Sequence, residues 1–238
     1  MYLIALDGVN FTAPRPQPFV PGAKDGQEQV LLPSGGRAEF LLQAISTPGV
    51  YAVTALAQMQ QFLASAEKKL FEIEVTGQPV SMGLPQMLPT PTRHYPLITP
   101  GEVSVKRAIS FDMLFPAAQN KLVGGDFAVN GDLYDEGSVT LQPKLGAAEE
   151  WTIQDNYTVM GGSMEGHPFH LHTNSFEVIS IGGVAVEPGT IQDTVWVPHM
   201  TPVVIRVRFQ QWIGKDVFHC HLLPHEDTGM MQNLLVTP

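Results

Sequence analysis

Residues 219 to 230 read HCHLLPHEDTGM and contain the only cysteine of the chain, Cys220, flanked by His219 and His221 and followed ten residues later by Met230. A thiolate, an imidazole and a weak thioether are the ingredients of a blue-copper electron-transfer site once a second imidazole joins them. Upstream, GHPFHLH supplies His167, His170 and His172, so six of the eight histidines fall in two short stretches. Zinc also accepts cysteine and histidine. Structural zinc sites, however, generally use pairs of cysteines, and one cysteine among six clustered histidines fits that pattern poorly.

Successive side chains of a strand point to opposite faces, so an extended His219-Cys220-His221 sends the thiol one way and both imidazoles the other. One tripeptide can then touch two metal sites. By the same rule His170 and His172 share a face if HLH is extended. These two pairs, meeting across neighbouring strands, would form a histidine-rich second site. Cys220 is left to reach a separate copper with His167, His225 and Met230, and the covalent chain through Cys220 offers electrons a short bonded path between the sites.

Placing such donors calls for strands, and strands are what the chain offers. Short runs of Val, Ile, Leu, Phe and Thr alternate with Gly, Pro and Asn clusters throughout, the pattern of an all-β sandwich. In the first 78 residues strands are expected at 2–6, 29–32, 37–44, 50–56 and 70–75, with 57–69 a short helix or an irregular loop. Residues 79–100 hold six prolines and read as a linker. Beyond it strands are expected at 103–113, 126–129, 138–141, 150–154, 175–181, 193–197, 203–209, 217–222 and 231–236. Those runs suffice for a complete sandwich, whereas the runs in residues 1–78 are thin for an independent core. The expected organisation is a partial domain at 1–78, a linker at 79–100 and a complete domain at 101–238.

Composition narrows the function classes. A 44% hydrophobic and 15% charged chain with a formal charge of −10 is globular and argues against nucleic acid as a partner, since phosphate binding needs a basic face. A single cysteine rules out an internal disulfide, so its value is chemical. The opening MYLIALDGVNF is apolar for only six residues with no basic region before it, so neither a signal peptide nor a membrane span is expected there.

The two histidine motifs resemble the carboxy-terminal copper motifs of multicopper oxidases, the family of laccases, bilirubin oxidases, spore-coat laccases and cuprous oxidases. The resemblance runs through residues 101–238, in AVNGDLY, EEWTI, HPFHLHTNSFEV, DTVWVP and HCHLLPHEDTGMM. More weakly, residues 1–78 resemble the later half of the family's middle domain, in LLPSGGRAEFLL and PGVYAV. The resemblance implies a cupredoxin-like Greek-key β-sandwich. It also implies that His167, Cys220 and His225 are the equatorial ligands of a type 1 copper with Met230 axial, that His170 is a type 2 ligand, and that His172, His219 and His221 are type 3 ligands. Met231 is then left to pack in the core, and an axial methionine in place of Leu or Phe implies a lower type 1 potential. Glu226 resembles the carboxylate that some bacterial laccases use to relay protons during oxygen reduction. Its other reading is a solvated rim acid or an acceptor for an imidazole N–H. Asp227 reads as structural.

The implied activity is that of an oxidoreductase. A phenol, aromatic amine or metal ion gives single electrons to the type 1 copper, and Cys220 with its flanking histidines passes them to a type 2/type 3 cluster that reduces dioxygen to water. In the family eight histidines hold that cluster, and this chain's motifs supply four. The rest come from an amino-terminal cupredoxin domain, so the expected partner is that domain; a second copy of the chain across a two-fold axis is the other source. The competing reading is a mononuclear blue-copper electron-transfer or copper-binding module without oxidase activity. Relatives are often periplasmic or secreted. Outside the motifs, His94 and His199 read as surface or loop histidines, Met82 and Met87 as packing residues, and Trp151, Trp196 and Trp212 as buried strand residues.

Overall fold

Val203, Ile205 and Val207 alternate with Val204, Arg206 and Arg208; the strand they form buries the first set and leaves the second set partly exposed. A period of two in hydrophobicity is the signature of a half-buried strand, and it recurs in AEEWTIQD at Ala148–Asp155. The computed structural model describes residues 1–16, 30–44, 47–60, 63–90, 97–114, 126–155 and 166–238. His94 lies outside the described residues.

The first part of the chain contains β1 (Tyr2–Leu6), β2 (Val9–Pro16), β3 (Ala38–Leu41), β4 (Gly49–Ala55), β5 (Gln58–Gln60), β6 (Leu63–Ser65) and β7 (Lys68–Val75). They form a sheet ordered β2-β1-β3 and two pairs, β4-β7 and β5-β6. After a 3-10 turn at Pro100–Glu102 come β8 (Val103–Leu114), β9 (Asp126–Val129), β10 (Ala148–Asp155), β11 (Gly166–Leu171), β12 (Phe176–Ile181), β13 (Val184–Ala185), β14 (Ile191–Gln192), β15 (Thr194–Pro198), β16 (Val203–Arg208), β17 (Gly214–Cys220), the one-turn helix α1 (Leu223–Glu226) and β18 (Met231–Val236). One sheet runs β13-β12-β16-β10-β8-β9 with β14 beside β12, and the other runs β15-β11-β17-β18. Among the described residues no helix is long and apolar enough to cross a membrane.

The core lies between these two sheets. Trp151, Ile153, Ile205 and Phe176 from the first meet Phe169, Leu171, Phe218 and Leu234 from the second. Trp151 is wholly buried, with ring centroids 5.5 Å from Phe218 and 6.3 Å from Phe169, both edge-on. Its indole N–H donates to Glu149 Oε2 at 2.8 Å, and Arg107 grips that carboxylate with two hydrogen bonds of 2.6 and 2.7 Å. Burying the indole therefore leaves no orphan donor. The other two tryptophans depart from expectation: Trp196 is half-buried and Trp212 is 60% exposed.

Several elements differ from the sequence expectations. β2, absent from the expected strands, runs through Pro14 and Pro16; it is an edge strand, the place in a sheet where proline is tolerated. Within residues 57–69 the described residues carry the antiparallel β5–β6 pair instead of a helix or loop. Residues 30–32 form no strand, nor do 138–140, and Leu141 makes a single parallel bridge to Leu234. There two backbone bonds, from Thr140 N to Asn233 O at 3.1 Å and from Leu235 N to Leu141 O at 2.9 Å, join the segment to β18, and Asn233 Nδ2 adds bonds to the carbonyls of Asp135 at 3.0 Å and Ser138 at 2.7 Å. Residues 79–90 have no helix or strand and run along β2, where the Leu88 amide donates to Thr12 O at 3.0 Å. Met82 and Met87 lie exposed on that stretch, so neither packs as expected.

Candidate metal centre

The central strands of the four-stranded sheet, β11 and β17, set Phe169 opposite Cys220, His170 opposite His219 and Leu171 opposite Phe218. Alternation does the sorting. His167, Phe169 and Cys220 face the core, while His170 and His219 face the other way.

On the core side His167 Nδ1 lies 3.5 Å from Cys220 Sγ, His225 Nδ1 lies 3.7 Å from it, and the two ring nitrogens are 3.1 Å apart. All three residues are buried. α1 carries His225 back to the strand, and two hydrogen bonds close the loop, from Cys220 N to Met230 O and from Met230 N to His225 O, each 3.0 Å. Met230 is thereby latched beside Cys220 and is itself wholly buried. Phe127 stacks on the His225 ring at 3.8 Å and 12°. The loop passes so close beneath β9 that a Cβ on Gly229, whose φ is +123°, would stand 2.9 Å from Phe127 O.

Burial governs the charges here. It lowers His167 to about 3, with His225 and His199 adding to the effect, lowers His225 to about 4, and pushes the Cys220 thiol up. Neutral imidazoles are what a metal needs, and a bound cation would displace the thiol proton. One thiol, two imidazoles and a buried methionine form a donor set that fits copper.

Two further residues come to this site that spacing did not reveal. Asp155, wholly buried at the end of β10, has Oδ1 3.9 Å from His167 Nε2, while its Oδ2 lies 2.7 Å from His199 Nδ1. His199 is therefore a half-buried partner of that carboxylate rather than a free surface histidine. Metal-bound imidazoles commonly turn their other nitrogen toward such an acceptor. A parallel bridge between Asp155 and His199 brings the two together, a contact no local pattern encodes.

On the opposite face the ring nitrogens of His170, His172 and His219 lie within 4.8 Å of one another. His221 stands beside them, its ring centroid 5.4 Å from His170 and 5.3 Å from His219. His219 Nδ1 faces Cys220 O at 3.0 Å and Glu226 Oε2 at 3.2 Å. A carbonyl only accepts, so that nitrogen carries the hydrogen and Nε2 keeps its lone pair, 3.1 Å from His172 Nε2. Burial lowers His219 to about 4 and also lowers His172, where the neighbouring His170 adds to it. His172 is the exposed member of the group.

The sequence profile described as Multicopper oxidase matches residues 102–238. A multicopper oxidase (mco) of Staphylococcus haemolyticus is 36% identical over 122 residues, which are 46% of this chain and 24% of that protein. A laccase of Haloferax volcanii is 36% identical over 108 residues, 43% of this chain and 18% of its own. Among solved structures, the multicopper oxidase from Campylobacter jejuni, a metallo-oxidase, superposes with TM-score 0.73 and 23% identity over 100% of this chain and 49% of its own. McoA of Aquifex aeolicus does so with TM-score 0.74 and 21% identity, again over 100% and 49%. The chain thus spans about half the length of these structures, and its matched stretch about a quarter or less of those relatives. At such identities the superpositions establish the fold, an all-β cupredoxin-like sandwich. The profile itself takes in both histidine motifs and more than half of the sequence, and on that ground the chain belongs to the multicopper oxidase family.

Proposed function

We propose that this chain is the carboxy-terminal, copper-holding portion of a laccase-like oxidase. Residues 101–238 are its last cupredoxin domain, and residues 1–78 are the later part of the domain before it, joined by the linker at 79–100. His167, Cys220, His225 and Met230 hold the type 1 copper. His170, as type 2 ligand, and His172, His219 and His221, as type 3 ligands, supply half of the oxygen-reducing cluster. Copper in these places would supply one-electron acceptance from a small reducing molecule and, at the completed cluster, four-electron reduction of dioxygen to water. The observation that carries this reading is that Cys220 and His219, neighbours in sequence, belong to two donor groups on opposite faces of one sheet.

The side chains have separate tasks. Cys220 is wholly buried and Phe127 covers one face of the His225 ring, so a phenol, aromatic amine or metal-ion donor would meet the protein beside His225, at the outer side of α1 where Leu223 is exposed, rather than at the thiol. Glu226 is partly exposed and 3.2 Å from His219 Nδ1, which places its carboxylate between solvent and the histidine face, suited to delivering protons. The exposed His172 is where four further histidines join, from an amino-terminal cupredoxin domain or a second copy of the chain.

Copper reconstitution of the full chain tests this. The chain alone should develop the strong visible absorption of a cysteine–copper bond, and oxygen uptake with a phenol should appear only when the complementary histidine-bearing domain is added. Copper-loaded protein without that absorption would sink the type 1 assignment. Absorption that never leads to oxygen uptake, even with the added domain, would leave a mononuclear electron-transfer module.

A further inference from the structure

Asp7 sits in the turn between β1 and β2 at φ +47°, and its side chain is only 2% exposed. A carboxylate so placed must find donors. Its Oδ1 accepts from the Arg37 amide at 2.8 Å, and its Oδ2 accepts from the amides of Asp193 and Thr194 at 2.9 and 3.0 Å. Arg37 lays its guanidinium fork on the Asp193 carboxylate, Nη1 to Oδ1 at 3.0 Å and Nη2 to Oδ2 at 2.5 Å, and Nη1 also donates to Gly35 O at 2.8 Å. Asp7, Gly35 and Arg37 of the amino-terminal segment and Asp193 and Thr194 at the entry to β15 therefore form one network.

The far end of that network is a ring of the histidine face. His170 Nδ1 lies 2.9 Å from Asp193 O and 2.9 Å from Thr194 Oγ1, whose hydroxyl hydrogen goes to Asp193 Oδ1 at 2.9 Å. The carbonyl can only accept, so Nδ1 carries the hydrogen and the lone pair of the neutral ring is left on Nε2. The turn before β3, closed by Gly36 N donating to Pro33 O at 2.9 Å, reaches a second ring. Gly35 has φ +81°, and a Cβ there would stand 2.5 Å from Cδ2 of His221.

The geometry points to Asp7, Gly35 and Arg37 as positioning residues of the histidine face: from outside the copper-binding domain they fix the tautomer of His170 and the seat of His221. The role attributed to them rests on the assignment of those two histidines to the cluster. It differs from a mere clamp between segments in the sign of its effect. Removing the Arg37 charge leaves Asp193 the less compensated anion, which by Coulomb's law alone would tighten cation binding nearby. Loss of positioning loosens it.

The test uses the full chain and Cu(II) as probe. Arg37→Ala should weaken Cu(II) binding at the histidine face about 10- to 100-fold, the usual range when a partner of a metal ligand is removed. In the copper-free chain with 15N-labelled histidine, the single Nδ1–H form of His170 should become a mixture of tautomers. The visible absorption of the buried site should stay unchanged, which certifies the fold. Arg37→Lys, keeping the charge without the fork, should restore little. Unchanged or tighter Cu(II) binding together with a single His170 tautomer would overturn the proposal. Should Arg37→Ala lose the visible absorption and so fail to fold, Asp7→Asn repeats the measurement with the same deciding outcomes, and Gly35→Ala must shift the His221 ring signals while leaving His167 and His225 in place. A wild-type chain that binds no Cu(II) at this face would refute the cluster assignment instead, while the tautomer of the copper-free chain still decides whether Asp7 and Arg37 position His170.

Discussion

His167 and His225 show what burial does to an imidazole. Lowered to about 3 and about 4, they are neutral in the folded copper-free chain, as is His219 at about 4, while in the unfolded chain they titrate near 6.5. Below 6.5 the unfolded state therefore binds more protons than the folded one. Stability is complete above that value and falls as pH drops from 6.5 toward 4, where the folded rings begin to accept protons. Urea unfolding of the copper-free chain should show its midpoint sliding downward from about pH 6.5 to about pH 4; a flat midpoint would mean these rings stay solvated. The grouping of these side chains was legible in the sequence, because strand alternation sends Cys220 and its flanking histidines to opposite faces. Their supports were not. Asp7 and Asp193 are 186 residues apart, and acids and arginines are too common for any local pattern to nominate one.

At the scale of elements, the strands that could be read were those whose apolar residues alternate over a single core. β10 and β16 are of this kind, and Trp151 is their largest buried side chain. Trp151→Ala should cost about 3–5 kcal/mol of unfolding free energy, measured by chemical denaturation, because a wholly buried aromatic leaves a cavity that the sheets cannot close. Trp151→Phe should cost less, mainly through the Glu149 hydrogen bond that the indole no longer makes. A Trp151→Ala loss of under about 1 kcal/mol would show that the core repacks readily. Where the reading fails, the causes differ. β2 hides behind prolines that an edge strand tolerates. Residues 138–141 look like a strand in sequence, yet they meet β18 through two backbone bonds and the Asn233 side chain, which falls short of a ladder.

For the molecule as a whole, burial is unequal along the chain. The β4–β7 pair leaves Val50, Leu70 and Phe71 at 60%, 57% and 54% exposure, while the two sheets of residues 103–236 enclose a continuous apolar core. Regions with few buried contacts open at low cost. Hydrogen exchange should find the amides of β4 and β7 exchanging well ahead of those of β10 and β16. Copper at a hundredfold excess over its dissociation constant should add about 2.7 kcal/mol of protection to the latter pair alone. Equal protection in both regions would indicate that the exposed face is covered in solution.

One consequence follows from β11 and β17 carrying His167, His170, His219 and Cys220, members of both groups. The distance between those groups is set by the pleat of two hydrogen-bonded strands, with His170 registered opposite His219 and Phe169 opposite Cys220. A hinge away from these strands leaves the spacing of those four residues untouched. On the proposed function, breathing of the histidine face would change the occupancy of one centre without lengthening the route to the other, and a gate on turnover would act at the outer edge of that face.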